Sequence, residues 1–253
     1  MYKMDGLILG IDIGASGIKG ALVNMATGEL ATERYKVSTP NPSTPKKVAK
    51  AIREMQEHFE WTGPIGCGFP ALIKHGVAKT ASNIDKSWID TNVETLFKEA
   101  TNCEVYVLND ADAAGMAEIS LTTNNAKGTV LFLTIGSGIG SALFINGQLV
   151  PNTELGHVKF KDGVAEQYAA DSVRKKLNLS WEEWAKRFDE VLLHLDLLFS
   201  PDKIILGGGS SKYFSDFAQW FTVDTTVEPA TLLNNAGLIG AAFYANTQHQ
   251  LAI

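Results

Sequence analysis

The sequence predicts an α/β protein built from two related halves. Three observations carry the prediction. Short apolar runs alternate with amphipathic stretches along the chain. Three of those runs end in glycine-rich loops, at Gly14–Gly17, Gly136–Gly140 and Gly207–Gly209. One strand–loop–strand unit also occurs twice. Ile11–Leu30 reads IDIGASGIKGALVNMATGEL, and Leu133–Leu149 reads LTIGSGIGSALFINGQL. Both contain Ser-Gly-Ile followed by Ala-Leu and end in a glycine-containing turn. Two copies do not make a solenoid; they point to two related lobes.

Leu7–Ile13 is an apolar run ending at Gly14 and reads as a buried strand. The loop Gly14-Ala15-Ser16-Gly17 follows, then a second strand to Val23. Asn24–Gly28 carries turn chemistry, and Glu29–Val37 alternates as a third strand. Pro40, Pro42 and Pro45 mark a connection. Ser43 or Thr44 is placed to cap a helix running to Phe59, with Pro45 in its first turn. Val48, Ile52, Met55 and Phe59 keep helical spacing. Pro64–Ile73 is strand-like, and Asn92–Ala100 is a short helix. Glu104–Leu108 is a strand that runs straight into Asn109-Asp110, and Asp112–Ile119 is helical. Thr129–Ile135 is an apolar strand, continued past its loop by Ser141–Ile145 and a turn at Asn146-Gly147. Helices follow at Val164–Leu177 and Ser180–Phe199, the second opened by a capping box of Ser180 and Glu183. Lys203–Leu206 is a strand, and a last helix lies near Asn235–Thr247.

The chain has 253 residues, enough for one large domain or two small lobes. Its net charge of −6 gives no support for nucleic-acid or membrane-surface binding. Cys67 and Cys103 lie far apart with no CxxC spacing, as expected of reduced structural thiols in a cytosolic protein. No leader-like segment is visible, and no apolar run reaches the roughly 18 residues a membrane helix needs. A soluble, cytoplasmic protein is expected.

Phosphate binding needs backbone N–H groups that converge on an anion. Side chains obstruct that approach, so glycine is favoured, and serine adds a hydroxyl donor. The competing explanation is a tight hairpin turn requiring positive φ. Three loops in the same strand-end context favour phosphate. GxxxxGK[ST] is absent, and glycines at 14, 17 and 20 or at 136, 138 and 140 do not make GxGxxG. Asp12 ends the first strand beside the first loop. A carboxylate near phosphate needs a cation between them, so Asp12 is either a partner of Mg²⁺ or of its bound water, or a turn former. Lys19 either neutralises phosphate or faces solvent.

Val105–Ala114 reads VYVLNDADAA and puts Asp110 just past a buried strand, where ligands of α/β sheets collect. A base for phosphoryl transfer must lie within hydrogen-bond reach of the attacking hydroxyl. Asp110 suits that role, Asn109 suits a neighbouring hydroxyl, and Asp112 competes from further along. The same run also suits a helix N-cap, and one residue can cap while another does chemistry. Glu154-Leu155-Gly156-His157, Glu166, and the turn Ser82-Asn83-Ile84-Asp85 offer acceptors and donors for sugar hydroxyls. Each alone reads more readily as a solvated loop. No second His or Cys stands near His157 to complete a zinc site.

Together, IDIGASGIKGALV, LNDADAAG, LTIGSGIGSAL, ELGH and ILGGG, in this order over nearly the whole chain, resemble the repressor–ORF–kinase (ROK) group of bacterial sugar kinases. Ala81–Ile89, Leu108–Gly115 and Leu149–His157 are similar to its polyphosphate-using glucokinase subgroup. The resemblance implies a duplicated actin-like, ribonuclease-H-like fold with two lobes closing over a cleft. The implied division is 1–114 plus 235–253, with the final helix packing back, and 115–234. It implies a homodimer that phosphorylates glucose at the 6-hydroxyl with polyphosphate, ATP or both, and Mg²⁺. Asp110 is then the catalytic base, and Asn83, Asn109, Glu154, His157 and Glu166 contact glucose. Gly14, Ala15, Ser16, Gly17, Ile18 and Lys19, with Gly136, Ser137 and Gly138, hold donor phosphate. Gly207, Gly208 and Gly209 lie near a nucleotide.

Two departures stand out. Many relatives carry a cysteine-rich zinc motif after the histidine; Val158–Ala165 has no cysteine here, so no structural zinc is expected. The first loop has Ala15 where the subgroup often has glycine, a small change. A polyanionic donor needs a basic track, for which the candidates are Lys79 with Lys86, Lys46-Lys47-Lys50-Arg53, and Arg174-Lys175-Lys176. The alternatives are an ATP-only kinase for glucose, mannose or another hexose, a sugar-responsive repressor, and a non-catalytic sugar sensor. The acidic chain, beginning directly at the first strand, disfavours the repressor.

Overall fold

Alternation along one strand shows how the first half is built. In β1 (Leu7–Ile13), Leu9, Ile11 and Ile13 point into a large apolar cluster, while Gly10 and Asp12 belong to the opposite face. The computed structural model describes residues 6–82, 84–121 and 127–252. Asn83, an expected sugar contact, lies outside the described residues.

β1 pairs antiparallel with β2 (Ile18–Asn24), which pairs antiparallel with β3 (Tyr35–Val37). Helix α1 (Pro45–His58) leads to β4 (Ile65–Phe69), parallel to β1. A small hairpin of β5 (Ile73–Lys74) and β6 (Val77–Ala78) precedes α2 (Val93–Thr101). Then come β7 (Val105–Asn109), parallel to β4, and α3 (Asp110–Leu121). The sheet order is β3-β2-β1-β4-β7.

The second half repeats that order. β8 (Thr129–Ile135), β9 (Ile139–Ile145) and β10 (Gln148–Val150) are antiparallel neighbours. The short hairpin β11 (Lys159–Phe160) and β12 (Gly163–Val164) leads to α4 (Ala165–Ala169), α5 (Asp171–Lys176) and α6 (Trp181–Phe199). β13 (Lys203–Gly207) lies parallel to β8; α7 (Phe214–Phe217) and β14 (Thr226–Pro229), parallel to β13, follow. The order β10-β9-β8-β13-β14 reproduces the first sheet, the ribonuclease-H-like arrangement that the resemblance implies. The sequence repeat is therefore a repeat of structure. The first hairpin closes on Ile13 opposite Ile18 and the second on Ile135 opposite Ile139. Two compact units result, Met1–Leu121 with Asn234–Ile253, and Thr122–Leu233.

The last helix, α8 (Ala236–Leu251), belongs to the first unit. Its buried face is mostly small: Ala236, Gly240, Ala241, Ala242 and Ala245. Backbones therefore meet. A methyl group on Gly66 would overlap the Ala241 carbonyl, and one on Gly240 would overlap the Ala113 carbonyl of α3. The large-residue face of the same sheet packs instead against Val48, Ile52 and Met55 of α1 and Phe97 of α2.

Three elements differ from the sequence expectation. The third strand shrinks to Tyr35–Val37: Leu30 makes only an isolated bridge to Val23, and Thr32 Oγ1 takes the Leu22 N–H. The helix expected over Val164–Leu177 breaks at Ala170, which is extended at φ −65° and ψ 156°. Neither residue expected to cap α1 forms a cap bond: Thr44 precedes the helix without one, and Ser43 Oγ accepts from the Asp85 N–H. The Ser180–Glu183 capping box forms as expected. Among the described residues, no helix is long and apolar enough to cross a membrane.

Gly66→Ala and Gly240→Ala should each destabilise the protein by about 2 kcal/mol or more through overpacking. Gly209→Ala should cost about 0.5 kcal/mol or less, since a methyl there meets nothing within 4 Å. Urea unfolding of the three variants checks both statements.

Candidate active site

The run expected to hold a base resolves into three roles. Asn109 caps α3: its Oδ1 accepts from the N–H groups of Ala111 at 2.8 Å and Asp112 at 3.3 Å. Its amide donates to the Ala71 carbonyl at 3.2 Å. Asp112 is buried at 1% exposure. Asp110 is exposed, and its Oδ1 accepts from the Ala111 N–H at 2.8 Å. Sequence spacing left Asp110 and Asp112 in competition; their exposure separates them.

The first glycine loop is closed by the Gly14 N–H donating to the Gly17 carbonyl at 3.1 Å. Thr39 Oγ1 donates to the Gly14 carbonyl at 2.6 Å, while Ala15 and Ser16 remain exposed. Lys19 turns to Asp12, Nζ to Oδ2 at 3.6 Å. Lys19 also pairs across the strands with Lys36, whose stem lies over Gly17 where a side chain would sit. Motif reading missed Lys36, because the register of β3 delivers it and no pattern in the chain does. Burial pushes the Asp12 carboxyl above its ordinary range, and Lys19 offsets this only in part.

In the second unit, the structure brings Glu154, His157 and Glu166 together. His157 Nδ1 lies 3.1 Å from Glu154 Oε2, and Nε2 lies 3.5 Å from Glu166 Oε1. The other oxygen of Glu166 accepts from the Ile139 N–H at 3.2 Å, at the exit of the second glycine loop. That loop is closed by the Gly136 N–H donating to the Gly138 carbonyl at 3.0 Å. Ser172, at the start of α5, holds its outer side: the N–H donates to the Gly136 carbonyl at 3.1 Å and Oγ to the Ser137 carbonyl at 2.6 Å. The break at Ala170 makes this contact.

The two sets lie on different units: Asp12, the loop at 14–19, Asn109 and Asp110 on the first, and Gly136–Gly138, Glu154, His157, Glu166 and Gly207–Gly209 on the second. None of Gly14, Gly17, Gly136 or Gly138 has positive φ; Gly208 does, at +79°. A methyl group on Gly136 would meet nothing within 4 Å. The tight-turn explanation therefore holds for Gly208 and fails for Gly136. The second and third glycine loops line one cavity of about 640 Å³. Its remaining wall includes Asp171, Arg174, Lys175, Lys212, Trp181 and Tyr213. Asp171 Oδ1 receives Arg174 Nε at 2.7 Å, and Oδ2 receives Lys175 Nζ at 2.6 Å. Burial works against the Asp171 anion, but the bonds from Lys175 and Arg174 outweigh it and hold the carboxyl below its usual range. Among the described residues, no three His, Cys, Asp or Glu side chains gather as a metal cage.

The raised Asp12 carboxyl has a consequence for stability. A carboxyl raised on folding favours its neutral form, so native stability falls as pH rises from about 4 through the raised value. Asp12→Asn should therefore raise the thermal midpoint at pH 7 by about 2–4 °C and lose that gain near pH 4. Thermal unfolding at both pH values checks it.

The geometry can be set beside known proteins. The ROK family model matches residues 8–168. A polyphosphate glucokinase of Mycobacterium tuberculosis strain CDC 1551 / Oshkosh is 45% identical over 95% of this chain and 92% of its own length. A crystal structure of inorganic polyphosphate/ATP-glucomannokinase from Arthrobacter sp. strain KM is 40% identical, with a TM-score of 0.90, over 97% of this chain and all of that one. A ROK family glucokinase from Streptomyces griseus, in complex with glucose and AMPPNP, has a TM-score of 0.80 over 96% of this chain and all of that one. At 23% identity it speaks for the fold alone. With its motifs in order and both sheets wound alike, the chain belongs to the ROK family, and its fold is actin-like.

Proposed function

We propose that this chain is a glucokinase that moves a phosphoryl group from inorganic polyphosphate or ATP to the 6-hydroxyl of glucose. The observation that carries the reading is the exposed Asp110 carboxylate at the carboxyl end of β7. It stands on a chain 45% identical to a protein named polyphosphate glucokinase. Asp110 takes the hydroxyl proton as the sugar oxygen attacks phosphorus. The new P–O bond forms as the bond to the leaving phosphate chain, or to ADP, breaks in line. Asn109, held by its cap bonds, offers its other amide hydrogen to a neighbouring hydroxyl. Glu154, His157, Glu166 and Asn83 hold the remaining hydroxyls. The loops at Gly14–Lys19 and Gly136–Gly138 bind donor phosphate. Neither a positive φ nor crowding demands glycine at Gly136, which agrees with close approach of a ligand to the loop backbone. Gly207–Gly209 border the cavity that receives the rest of the donor.

Asp12 would hold Mg²⁺: its carboxylate is partly buried and only partly compensated by Lys19. Mg²⁺ commonly keeps several waters and uses one or two carboxylates plus substrate phosphates. When bound, it neutralises donor charge. The proposed working form is a cytoplasmic homodimer. A second sugar, mannose, is favoured by the similarity to a glucomannokinase.

Asp110→Asn should lower kcat by about a thousandfold and leave glucose affinity within about threefold, by coupled assay and calorimetry. Near-normal turnover would remove Asp110 from the base role. Product measured with each donor and a hexose panel tests the remainder: no glucose 6-phosphate from polyphosphate rejects that donor.

A further inference from the structure

The proposed chemistry gives no task to the charged side chains of the cavity wall. Arg174 lies in the cavity wall with its side chain 19% exposed. Its Nε is bonded to Asp171, itself 9% exposed, and its guanidinium stacks on Trp181 at 3.9 Å from the ring centre. Two fixed supports thus set its plane. Nε uses one of five guanidinium donors. Neither Nη bonds another protein group among the described residues.

We infer that Asp171 is a positioning residue that locks Arg174 to grip the phosphate chain of a polyphosphate donor, favouring that donor over a nucleotide. This rests on the phosphoryl-transfer reading given above. A fixed, planar guanidinium matches phosphate oxygens pairwise. Lys175 and Lys212 add positive charge to the same wall. The rest is largely small and polar: Gly136, Ser137, Ser172, Gly209 and Ser210. A purine would need a free aromatic face. One face of Trp181 is covered by Arg174, and the ring also packs against Trp184, Tyr213 and Phe217; Tyr213, 41% exposed, has Trp181 against it and Lys212 Nζ 4.9 Å from its ring centre. A phosphate chain needs only cations and N–H groups. Helix α5 carries both Arg174 and Ser172, so the element that aims the guanidinium also holds the phosphate loop at Gly136 and Ser137.

The test uses the full chain and the variants Arg174→Gln, Asp171→Asn and Asp171→Glu, with Lys186→Ala as an exposed control. KM and kcat are measured for polyphosphate, ATP and glucose, and Kd for tripolyphosphate and ADP by calorimetry. Arg174→Gln should raise KM for polyphosphate and Kd for tripolyphosphate about tenfold. The values for ATP, ADP and glucose should stay within about threefold. Asp171→Asn should move the same constants in the same direction, by less, and Asp171→Glu should restore part of the loss. An equal or larger rise for ATP and ADP overturns the inference in favour of a nucleotide pocket. No change for either donor class overturns it in favour of a structural pair, as does a loss confined to thermal stability. If the unaltered chain turns over neither donor, the glucokinase reading fails, while the tripolyphosphate and ADP constants still decide the role of Arg174.

Discussion

The first unit depends on one constraint: α8 must approach β4 and α3 backbone to backbone. Glycine at 66 and 240 removes the side chains that would hold them apart. The sheet consequently has two unlike faces. One presents Leu9, Ile11, Ile65 and Val107 to α1 and α2; the other presents small residues to a helix from the far end of the chain. Asp12 shares a face with Gly10, and its carboxyl lies where a side chain at Gly237 of α8 would go. Its raised carboxyl is thus a by-product of that close packing, which Lys19 offsets only in part.

Three aspartates at or shortly past strand ends receive three environments from this frame. Asp12 is partly buried beside α8, Asp112 on α3 is buried, and Asp110 is exposed one residue past β7. Chemistry at neutral pH needs an accessible carboxylate beside a rigid support. The cap bonds of Asn109 supply rigidity beside Asp110, so in the proposed reading capping and acid–base work divide between neighbouring residues.

Much of the fold was legible because local and global signals agree. β1 and β8 are continuous apolar runs, and β8 has the expected bounds of Thr129–Ile135. The capping box of α6 and the Asn92 cap of α2 are local chemistry, and both form. The duplicated hairpin was visible because both copies keep Ser-Gly-Ile and Ala-Leu. What escaped depends on contacts distant in sequence. Nothing near Ala170 announces a break; Ser172 reaching the loop at Gly136 requires it. Lys36 reaches the first loop only through strand register. In the site, Arg174 and Lys175 were visible as charge, but Asp171 between them and Trp181 behind them were not. Their roles exist only once α5 is folded and α6 has packed beside it.

Glu166 shows what such sharing means. One of its oxygens takes the Ile139 N–H at the hairpin, and the other faces the imidazole of His157. The two anchors draw on a single carboxyl, whose charge and orientation they hold in common. By thermodynamic reciprocity, whatever strengthens or strains one anchor alters the other by the same free energy. In the proposed reading, a sugar at His157 and a donor phosphate at the hairpin are coupled through this one carboxyl.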